Sequence, residues 1–262
     1  MKSKSVSESP PSSELGLTGI GLANIFTSEE DNEVNDNSQL KHEELNGFQF
    51  NIKIAEAEWN TEKKTLFATY VWNGARLLCT YIETHRELIK DKSVLELGAG
   101  VGLPSLMSWS IGASYVCASD YPSEYLIETL TENMTRNCMK DPSDPSRSFS
   151  VVGYKWGADV SPLIDANRGC KYDVVVASEC LWRHEQHEDL LLSLSSVLKA
   201  GGIAILTFSH HIPGIESGDL LFFTKATSFG FRVTHISSTK QPDMWTDGRE
   251  VDMFIYVIEL AT

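Results

Sequence analysis

The chain has 262 residues, of which 42% are hydrophobic, and it carries a formal net charge of −14. This length and apolar fraction suffice for one domain with a substantial core and not for two independent full-size domains. The negative charge disfavours nucleic acid and anionic membranes as partners and favours a basic partner. We therefore expect no nucleic acid and no membrane among the partners.

Cysteine usage and the absence of apolar segments indicate the compartment. The five cysteines are scattered, with no C-x-x-C pair, and an odd number suits a reducing compartment better than a disulfide framework. The start has no apolar signal segment, and no stretch approaches the ~20 apolar residues of a membrane span. We therefore predict a cytoplasmic protein, and we expect it to act as a monomer.

The first 46 residues differ in composition from the rest of the chain. They are rich in Ser and Asn, with nine acidic residues against three lysines. Such a stretch has too few large apolar groups to offset the entropy lost on ordering. We predict a disordered acidic tail over residues 1–46 and a single domain over residues 47–262, with an N-terminal hairpin and helix up to residue 92.

The predicted domain begins with a strand and a helix. From Phe48 to Ile54 apolar and polar residues alternate, which predicts a strand with one buried face, and a turn near Asn60 would return it as a hairpin. Apolar residues then recur at helical spacing from Val71 to Ile82, with Trp72 at the start of that helix. On this pattern, Trp72 fits a ligand contact and an ordinary core position equally well.

Residues 94–104, VLELGAGVGLP, read as a buried strand, a tight turn and a helix start. An acid, Glu96, lies at the strand end, and Pro104 suits a first helical turn because it needs no amide donor there. Open α/β sheets bind ligands at such turns. Because Leu103 stands where a dinucleotide fingerprint needs its third glycine, and no phosphate-loop lysine follows, the turn favours an adenosyl ligand with an amino-acid end.

Strands and helices alternate over the remainder of the chain. The patterns predict helices over residues 104–110, 123–137, 186–198 and 220–227, and strands over residues 115–119, 150–154, 172–177, 203–208, 232–237 and 252–260. Gly112 and the pair Gly201-Gly202 are predicted to end helices. The last two strands are joined by residues 238–251, too short for a crossover helix, so we predict an antiparallel hairpin closing a mostly parallel sheet.

Asp120 strengthens the ligand hypothesis. It follows the second strand of the alternating pattern about 20 residues after the glycines, where an acid in such folds accepts both ribose hydroxyls. A solvated turn residue is the alternative for Asp120 taken alone.

Five segments in order, VLELGAGVGLP, SDYP, YKWG, YDVVVASECLW and GGIAILTFSHH, resemble the class I, seven-β-strand S-adenosylmethionine-dependent methyltransferases. The closest resemblance is to the branch formerly called nicotinamide N-methyltransferase-like, now associated with protein lysine and N-terminal methylation, including that of a translation elongation factor. The resemblance runs from Phe48 to the C-terminus. It implies an α/β fold with a Rossmann-like seven-stranded sheet, preceded by an N-terminal hairpin and helix.

The resemblance also implies S-adenosyl-L-methionine as cofactor and S-adenosyl-L-homocysteine as product. The family's cofactor contacts fall on Trp72, Glu96, Gly98, Ala99, Gly100, Asp120, Tyr121, Trp156 and Ser178. In this interpretation Glu96 and the glycine turn orient the aminoacyl end, Asp120 binds the ribose, and Trp156 contacts the adenine. Trp156 as an ordinary core residue is the competing interpretation.

After the fourth strand of the core the family has an acid-x-x-aromatic motif, which here reads Glu179-Cys180-Leu181-Trp182. It has Glu where many members have Asp and Trp where many have Tyr or Phe. The resemblance implies that Glu179 binds the incoming ammonium and helps its proton leave, and that Trp182 holds the amine by cation–π attraction. Glu179 as a negative charge at a helix N-terminus is the alternative.

Two histidine clusters are candidates for metal binding or catalysis. His184 and His187 lack the order of an H-E-x-x-H motif, so we predict a solvated helix start there and no metal. Ser209, His210 and His211 follow a predicted strand, and His211 is a further catalytic candidate, with a plain polar loop as an equal alternative.

Together these features predict an S-adenosylmethionine-dependent N-methyltransferase that acts on a lysine or N-terminal amine of a protein with a basic segment. An elongation factor is one candidate. A small-amine methyltransferase, using nicotinamide or a similar base, is the first alternative, although the short polar tail offers no lid for a closed pocket. A catalytically idle cofactor-binding module is the second. Methylation of nucleic-acid amines is disfavoured because no N-P-P-Y or D-P-P-Y follows the fourth strand.

Overall fold

A computed structural model describes residues 40–54, 70–138, 146–210, 214, 216–244 and 248–261. Their strands are β1 (Leu40–Leu45), β2 (Phe48–Lys53), β3 (Ser93–Leu97), β4 (Tyr115–Asp120), β5 (Ser148–Gly153), β6 (Tyr172–Ser178), β7 (Leu198–Ser209), β8 (Phe231–Pro242) and β9 (Glu250–Leu260). Their α-helices are α1 (Asn73–Thr84), α2 (Leu103–Ser110), α3 (Glu124–Asn137), α4 (Ser161–Ala166), α5 (His187–Val197) and α6 (Glu216–Ser228). Short 3-10 turns cover Arg86–Leu88 and His184–Gln186.

Seven strands form one sheet in the order β5-β4-β3-β6-β7-β9-β8. The first five of these pair in parallel, and β9 runs antiparallel between β7 and β8. Because the central strands are covered on both faces, their residues form continuous apolar runs rather than alternating ones. The predicted α/β fold, with a seven-stranded sheet and an antiparallel C-terminal hairpin, is confirmed.

Two apolar layers cover the sheet. One contains α1, α2 and α3 together with the buried side of β2, represented by Leu78, Leu106 and Ile52. The other contains α4, α5 and α6, represented by Leu163 and Phe222. The carboxyl ends of β3, β4, β6 and β7 therefore meet at one edge between the two helical layers.

The N-terminal hairpin is built differently from the prediction. β2 pairs with β1, which precedes it, through an Asn46-Gly47 turn in which both residues have positive φ, as hairpin turns of this length require. The predicted return near Asn60 lies outside the described residues and stays a prediction. The predicted tail is wrong for Leu40–Leu45, while residues 1–39 lie outside the described part.

Tertiary contacts explain why β1 was missed. Its sequence is polar and largely exposed, so it carries no buried-face alternation. The strand is held instead by Glu43, whose two carboxylate oxygens accept hydrogen bonds from Arg76 of α1 at 2.6 and 3.2 Å. That partner lies 33 residues away in the chain and is not visible in the local pattern.

Two element boundaries and one helix also differ from prediction. Helix α5 ends at Val197, and the Gly201-Gly202 pair lies inside β7 instead of ending the helix. Helix α4 was not predicted, because six residues are too few to show a helical period. Strand β8 continues to Pro242 as a polar edge strand, beyond the predicted end at Ser237. The described residues contain no helix long and apolar enough to cross a membrane.

Candidate active site

The glycine turn connects β3 to α2 at the carboxyl edge of the sheet. Gly98, Gly100 and Gly102 all have positive φ, at 71°, 54° and 86°. L-residues with side chains rarely adopt this region, so the three glycines allow a turn that other residues would strain. The Ala99 N–H donates to Ser119 O at 3.0 Å, which ties the turn to β4. The predicted strand–turn–helix at residues 94–104 is confirmed.

Glu96 is fully buried beneath this turn. Its Oε2 accepts hydrogen bonds from the backbone N–H and the hydroxyl of Ser105, at 2.8 and 2.5 Å, in the first turns of α2. Burial raises the pKa of the Glu96 carboxyl to about 8, and the nearby Asp120 carboxylate adds to the rise, against the two Ser105 bonds. Its other oxygen, Oε1, is buried with no hydrogen-bond partner among the described residues.

Asp120 lies at the end of β4 and faces the same turn. Its Oδ2 accepts the Gly100 N–H at 2.6 Å, and its Oδ1 accepts the Tyr121 N–H at 2.6 Å. Burial raises the pKa of the Asp120 carboxyl, while these two backbone bonds oppose the rise. Tyr121 is exposed. The carboxylate is thus fixed beside the glycine backbone, with lone pairs remaining on each oxygen.

Trp156 and Cys180 close over Gly98. A Cβ built on Gly98 would lie 2.8 Å from Cys180 Sγ and 3.2 Å from Trp156 Cζ2, so a side chain there would clash with Cys180 and crowd Trp156. The indole is partly buried against the α4–α6 layer, which places it between the core and the ligand edge. Burial raises the pKa of the Cys180 thiol well above its usual value, and the carboxylates of Asp120, Glu96 and Glu179 add to this.

Glu179 ties three elements together just beyond β6. Its Oε1 accepts the Gly74 N–H of α1 at 3.1 Å, and its Oε2 accepts the Ser209 N–H at the end of β7 at 3.0 Å. Thr207 of β7 completes the junction, donating its hydroxyl to Gly74 O at 2.8 Å. The alternative interpretation of Glu179 is thus partly realised, since its charge lies at a helix N-terminus, that of α1 rather than of the next helix.

The backbone of Glu179 is itself unusual. Its φ is 53°, whereas the other non-glycine residues of the described ranges with positive φ, Asn46, Asp91 and Arg168, lie in turns. This conformation costs a glutamate about 1 kcal/mol or more, and such residues cluster at functional sites. The Glu179 N–H donates to Thr207 O at 2.8 Å, which holds the strained backbone in place.

The aromatic candidates occupy the rim of this edge. Trp72 is the N-cap residue of α1, two positions before Gly74, and packs edge-on against Tyr70 with ring centroids 6.4 Å apart. Trp182 is partly buried, and the Arg183 guanidinium lies 5.3 Å from its ring centroid. Ser178 ends β6 opposite Thr207 of β7. The structure therefore places Trp72 and Ser178 beside the Glu179 junction and shows a cation already stacked on Trp182.

Two histidines near this edge, His184 and His210, contact a buried acid in the structure. His211 lies outside the described residues, so its predicted role stays a prediction. His184 is not simply solvated: its Nε2 lies 2.6 Å from Asp219 Oδ1, and His210 Nδ1 lies 2.7 Å from Asp219 Oδ2. Within the described ranges, no group of three His, Cys, Asp or Glu side chains is arranged to hold a metal ion.

The sequence interpretation missed Asp219, although a signal was present. Asp219, Phe222, Phe223 and Ala226 recur at helical spacing and are all buried, so an acid stands on the apolar stripe of α6. Buried acids need partners. The two histidines that supply them are 35 and 9 residues away, and only the fold brings them together.

These residues fit an adenosyl ligand with a charged amino-acid end. The glycines expose backbone, Asp120 presents a fixed acceptor for hydroxyls, and Glu96 Oε1, which has no hydrogen-bond partner among the described residues, is a buried polar atom left for a ligand group. Trp156 offers an apolar face next to the same turn. The fold and this edge define a class I methyltransferase.

Comparison with known proteins identifies the family. A family model described as lysine methyltransferase matches residues 50–229. Over 189 residues the chain is 33% identical to the protein N-terminal and lysine N-methyltransferase efm7 of Schizosaccharomyces pombe, covering 70% of this chain and 72% of that protein. With the protein of that name from Yarrowia lipolytica it shares 32% identity over 216 residues, covering 77% and 76%. The chain belongs to the lysine methyltransferase family and is an N-methyltransferase.

Solved structures agree on the fold. Trm5b from Pyrococcus abyssi superposes with a TM-score of 0.55 at 17% identity, covering 87% of this chain and 57% of its own. TYW2 from P. horikoshii, solved in complex with MeSAdo, has a TM-score of 0.52 at 16% identity, covering 86% and 73%. At these identities the likeness concerns the fold alone.

Proposed function

We propose that this chain transfers methyl groups from S-adenosyl-L-methionine to an amine of a protein, either a lysine side chain or an N-terminal α-amine. The names of its relatives support both kinds of amine. The observation that carries the proposal is the meeting of the glycine turn, Asp120 and the Glu179 junction at one edge of the sheet.

The cofactor, when bound, supplies a methyl group on a positively charged sulfur. In the proposed site Asp120 accepts hydrogen bonds from the ribose hydroxyls, Trp156 packs against the adenine, and Glu96 faces the aminoacyl end. Gly98 contributes by having no side chain, since a Cβ there would clash with Cys180 and crowd Trp156. These residues position the donor and do not select the acceptor.

Glu179 and Trp182 are assigned to the acceptor. The Glu179 carboxylate is held by two backbone N–H groups, so it is oriented before substrate arrives, and its oxygens are of the type that accepts the N–H of an incoming amine. The face of Trp182 already stacks on one cation, Arg183, and suits a substrate ammonium in the same way. The amine must lose a proton to attack. Glu179 and Trp182 favour its charged form on arrival, whereas desolvation of the bound amine favours its neutral form.

The protein substrate is expected to present a basic segment. The net charge of −14 attracts a positively charged partner over distance, an effect that falls with ionic strength. Transfer to a neutral control peptide should therefore respond less to added salt than transfer to the natural target. We also propose that the chain works as a monomer in the cytoplasm, which light scattering and fractionation test.

The test separates binding from chemistry. Glu179→Ala should leave the calorimetric Kd for S-adenosylmethionine within about threefold of wild type while lowering kcat at least about 100-fold. Asp120→Ala should instead weaken cofactor binding at least about tenfold. Asp159→Asn, at an exposed carboxylate that bonds only Ser161 among the described residues, is the matched control. Full transfer by Glu179→Ala would overturn the assigned role.

A further inference from the structure

A buried carboxylate joins the two loops that form the acceptor side of the proposed site. Asp219, at the start of α6, has only 4% of its surface exposed. One of its oxygens contacts His184, which follows the Glu179–Trp182 motif, and the other contacts His210, which directly follows Ser209. The Ser209 N–H also donates to Glu179. Each histidine therefore lies within two residues of a residue that belongs to the acceptor side or holds it.

The residues around Asp219 leave room for the His184 ring and restrict the His210 ring. A Cβ built on Gly218, the residue before Asp219, would lie 2.1 Å from His184 Cε1 and 2.5 Å from its Nδ1. The glycine thus lets the His184 ring lie against the backbone of α6. His210 packs against Phe208 and Phe254, with centroids 5.8 and 5.0 Å away, so its ring has little freedom to turn.

The hydrogen-bond pattern fixes which nitrogens carry protons. An ionised carboxylate only accepts, so the facing atoms, His184 Nε2 and His210 Nδ1, must both be N–H donors. This assignment holds whether each ring is neutral or positively charged, because a charged imidazole donates from both nitrogens. The contact is therefore compatible with either charge state of the rings.

We propose that Asp219 is a positioning residue for methyl transfer: through His184 and His210 it holds the Trp182 loop and the end of β7 in the arrangement that Glu179 and Trp182 need. The inference rests on the proposed function of that site. Asp219 does not touch substrate or cofactor in this assignment and acts through the two histidines.

Asp219→Asn tests the proposal by its pH dependence. An amide has one acceptor oxygen and one donor nitrogen, so it satisfies both rings only if one of them presents a bare nitrogen. A charged imidazole donates from both of its nitrogens, so with both rings charged the amide N–H of the variant faces another N–H. The variant should therefore lose one contact at low pH, whereas the wild type keeps both.

The measured quantity is the ratio of kcat/KM for the protein substrate, wild type over Asp219→Asn, from pH 6 to 8.5. We expect this ratio to be at least about tenfold larger at pH 6 than at pH 8.5, the size expected for one unsatisfied buried polar group. Substrate deprotonation affects both proteins and cancels. The other titratable and charged groups around the cluster are present in both proteins, namely Arg183, Glu185, His187, Glu188, Glu216, Lys225, His235 and Glu179. Of these, His187 loses in the variant the contribution by which the Asp219 carboxylate raises its pKa. A ratio independent of pH overturns the proposal.

A matched carboxylate controls for a purely structural effect. Asp173, at the opposite end of the same sheet, accepts bonds from Ser93 and Lys199. The ratio of kcat/KM, wild type over Asp173→Asn, should not change with pH. Isosteric variants supply a second control: His184→Gln and His210→Asn keep a donor near the facing nitrogen and should retain more activity than the alanine variants at the same positions. The proposal is contradicted if His184→Gln loses as much activity as His184→Ala, or if His210→Asn loses as much activity as His210→Ala.

Ring spectra test the cluster without activity. Long-range ¹⁵N–¹H spectra of the full chain at pH 8.5 should show His210 as the Nδ1–H form and His184 as the Nε2–H form. The opposite form at either ring overturns the assignment. If the wild-type chain labels no protein substrate, the proposed function fails, and these spectra still decide whether the carboxylate holds both rings.

Discussion

The carboxylate of Glu179 lies against the backbone of Gly74, with Oε1 3.1 Å from the Gly74 nitrogen. A Cβ built on Gly74 would come within 2.5 Å of that oxygen and 2.7 Å of the Glu179 Cδ and Cγ atoms. The first turn of α1 and the acid of the acid-x-x-aromatic motif are therefore fitted to each other, and the glycine is required by that contact.

Gly74→Ala should consequently impair methyl transfer. On propensity alone the change favours a helix by about 1 kcal/mol, but the new methyl group must displace the Glu179 side chain. We expect kcat to fall at least about tenfold with the cofactor Kd changed less than about threefold. Thr80→Ala, on the exposed side of the same helix, is the control and should retain wild-type kinetics. Undiminished kcat in Gly74→Ala would show that the position of Glu179 is not critical.

Local pattern predicted the glycine turn and Asp120 at the end of β4, each from a few neighbouring residues. The acid-x-x-aromatic motif after β6 followed from the family resemblance and not from the local pattern. The Glu179–Gly74 contact joins residues 105 positions apart and left no local signal. Asp219 did leave one, an acid on an apolar helical stripe, but its partners follow only from the packing of α6 beside β7.

Glu96 predicts a pH-dependent stability. With a folded-state pKa of about 8, against about 4.3 in an unfolded chain, the native carboxyl keeps its proton where the unfolded one has lost it. The unfolded state therefore binds fewer protons between about pH 5 and 8, and the free energy of unfolding falls by up to about 1.4 kcal/mol per pH unit across that window.

Glu96→Gln isolates this effect, because its amide cannot ionise. The stability of the variant relative to wild type should rise by a few kcal/mol between pH 5 and pH 8, as measured by urea unfolding. Groups that do not interact with Glu96 titrate alike in both proteins and cancel, whereas the Asp120 carboxylate, which adds to the raised pKa of Glu96, is part of the measured difference. A stability difference that stays constant over this range would mean that Glu96 is ionised in the native state.

Asn133 anchors the N-terminal hairpin to the body. Its buried side chain accepts the Lys53 N–H at 2.7 Å and donates to Lys53 O at 2.9 Å and Val101 O at 3.1 Å. Asn133→Ala should lower the free energy of unfolding by about 2–3 kcal/mol, since it leaves buried backbone groups unpaired. Thr131→Ala, at an exposed position on the same helix, should change it by less than about 0.5 kcal/mol. An Asn133→Ala variant with the free energy of unfolding of wild type would contradict the anchoring role.

The cysteines should differ in reactivity. Cys170 is exposed, whereas the other four are buried and burial raises their pKa: Cys79, Cys117, Cys138 and Cys180. Because the thiolate is the reactive form, iodoacetamide at pH 7.5 should add one label per native chain, at Cys170. Intact-mass measurement followed by peptide mapping reads this out, with urea-unfolded protein as the fully labelled control. Rapid labelling of Cys180 would show that the site beneath Gly98 is open.

The central claim is that this chain methylates a protein amine from S-adenosylmethionine. Its most direct test is to incubate the purified chain with methyl-labelled cofactor and a cell lysate, and to locate the label by peptide mass spectrometry. The account predicts label on a lysine or N-terminal amine of discrete proteins, lost with Glu179→Ala while cofactor binding persists. Label found only on small molecules, or none transferred by a chain that binds the cofactor, would contradict it.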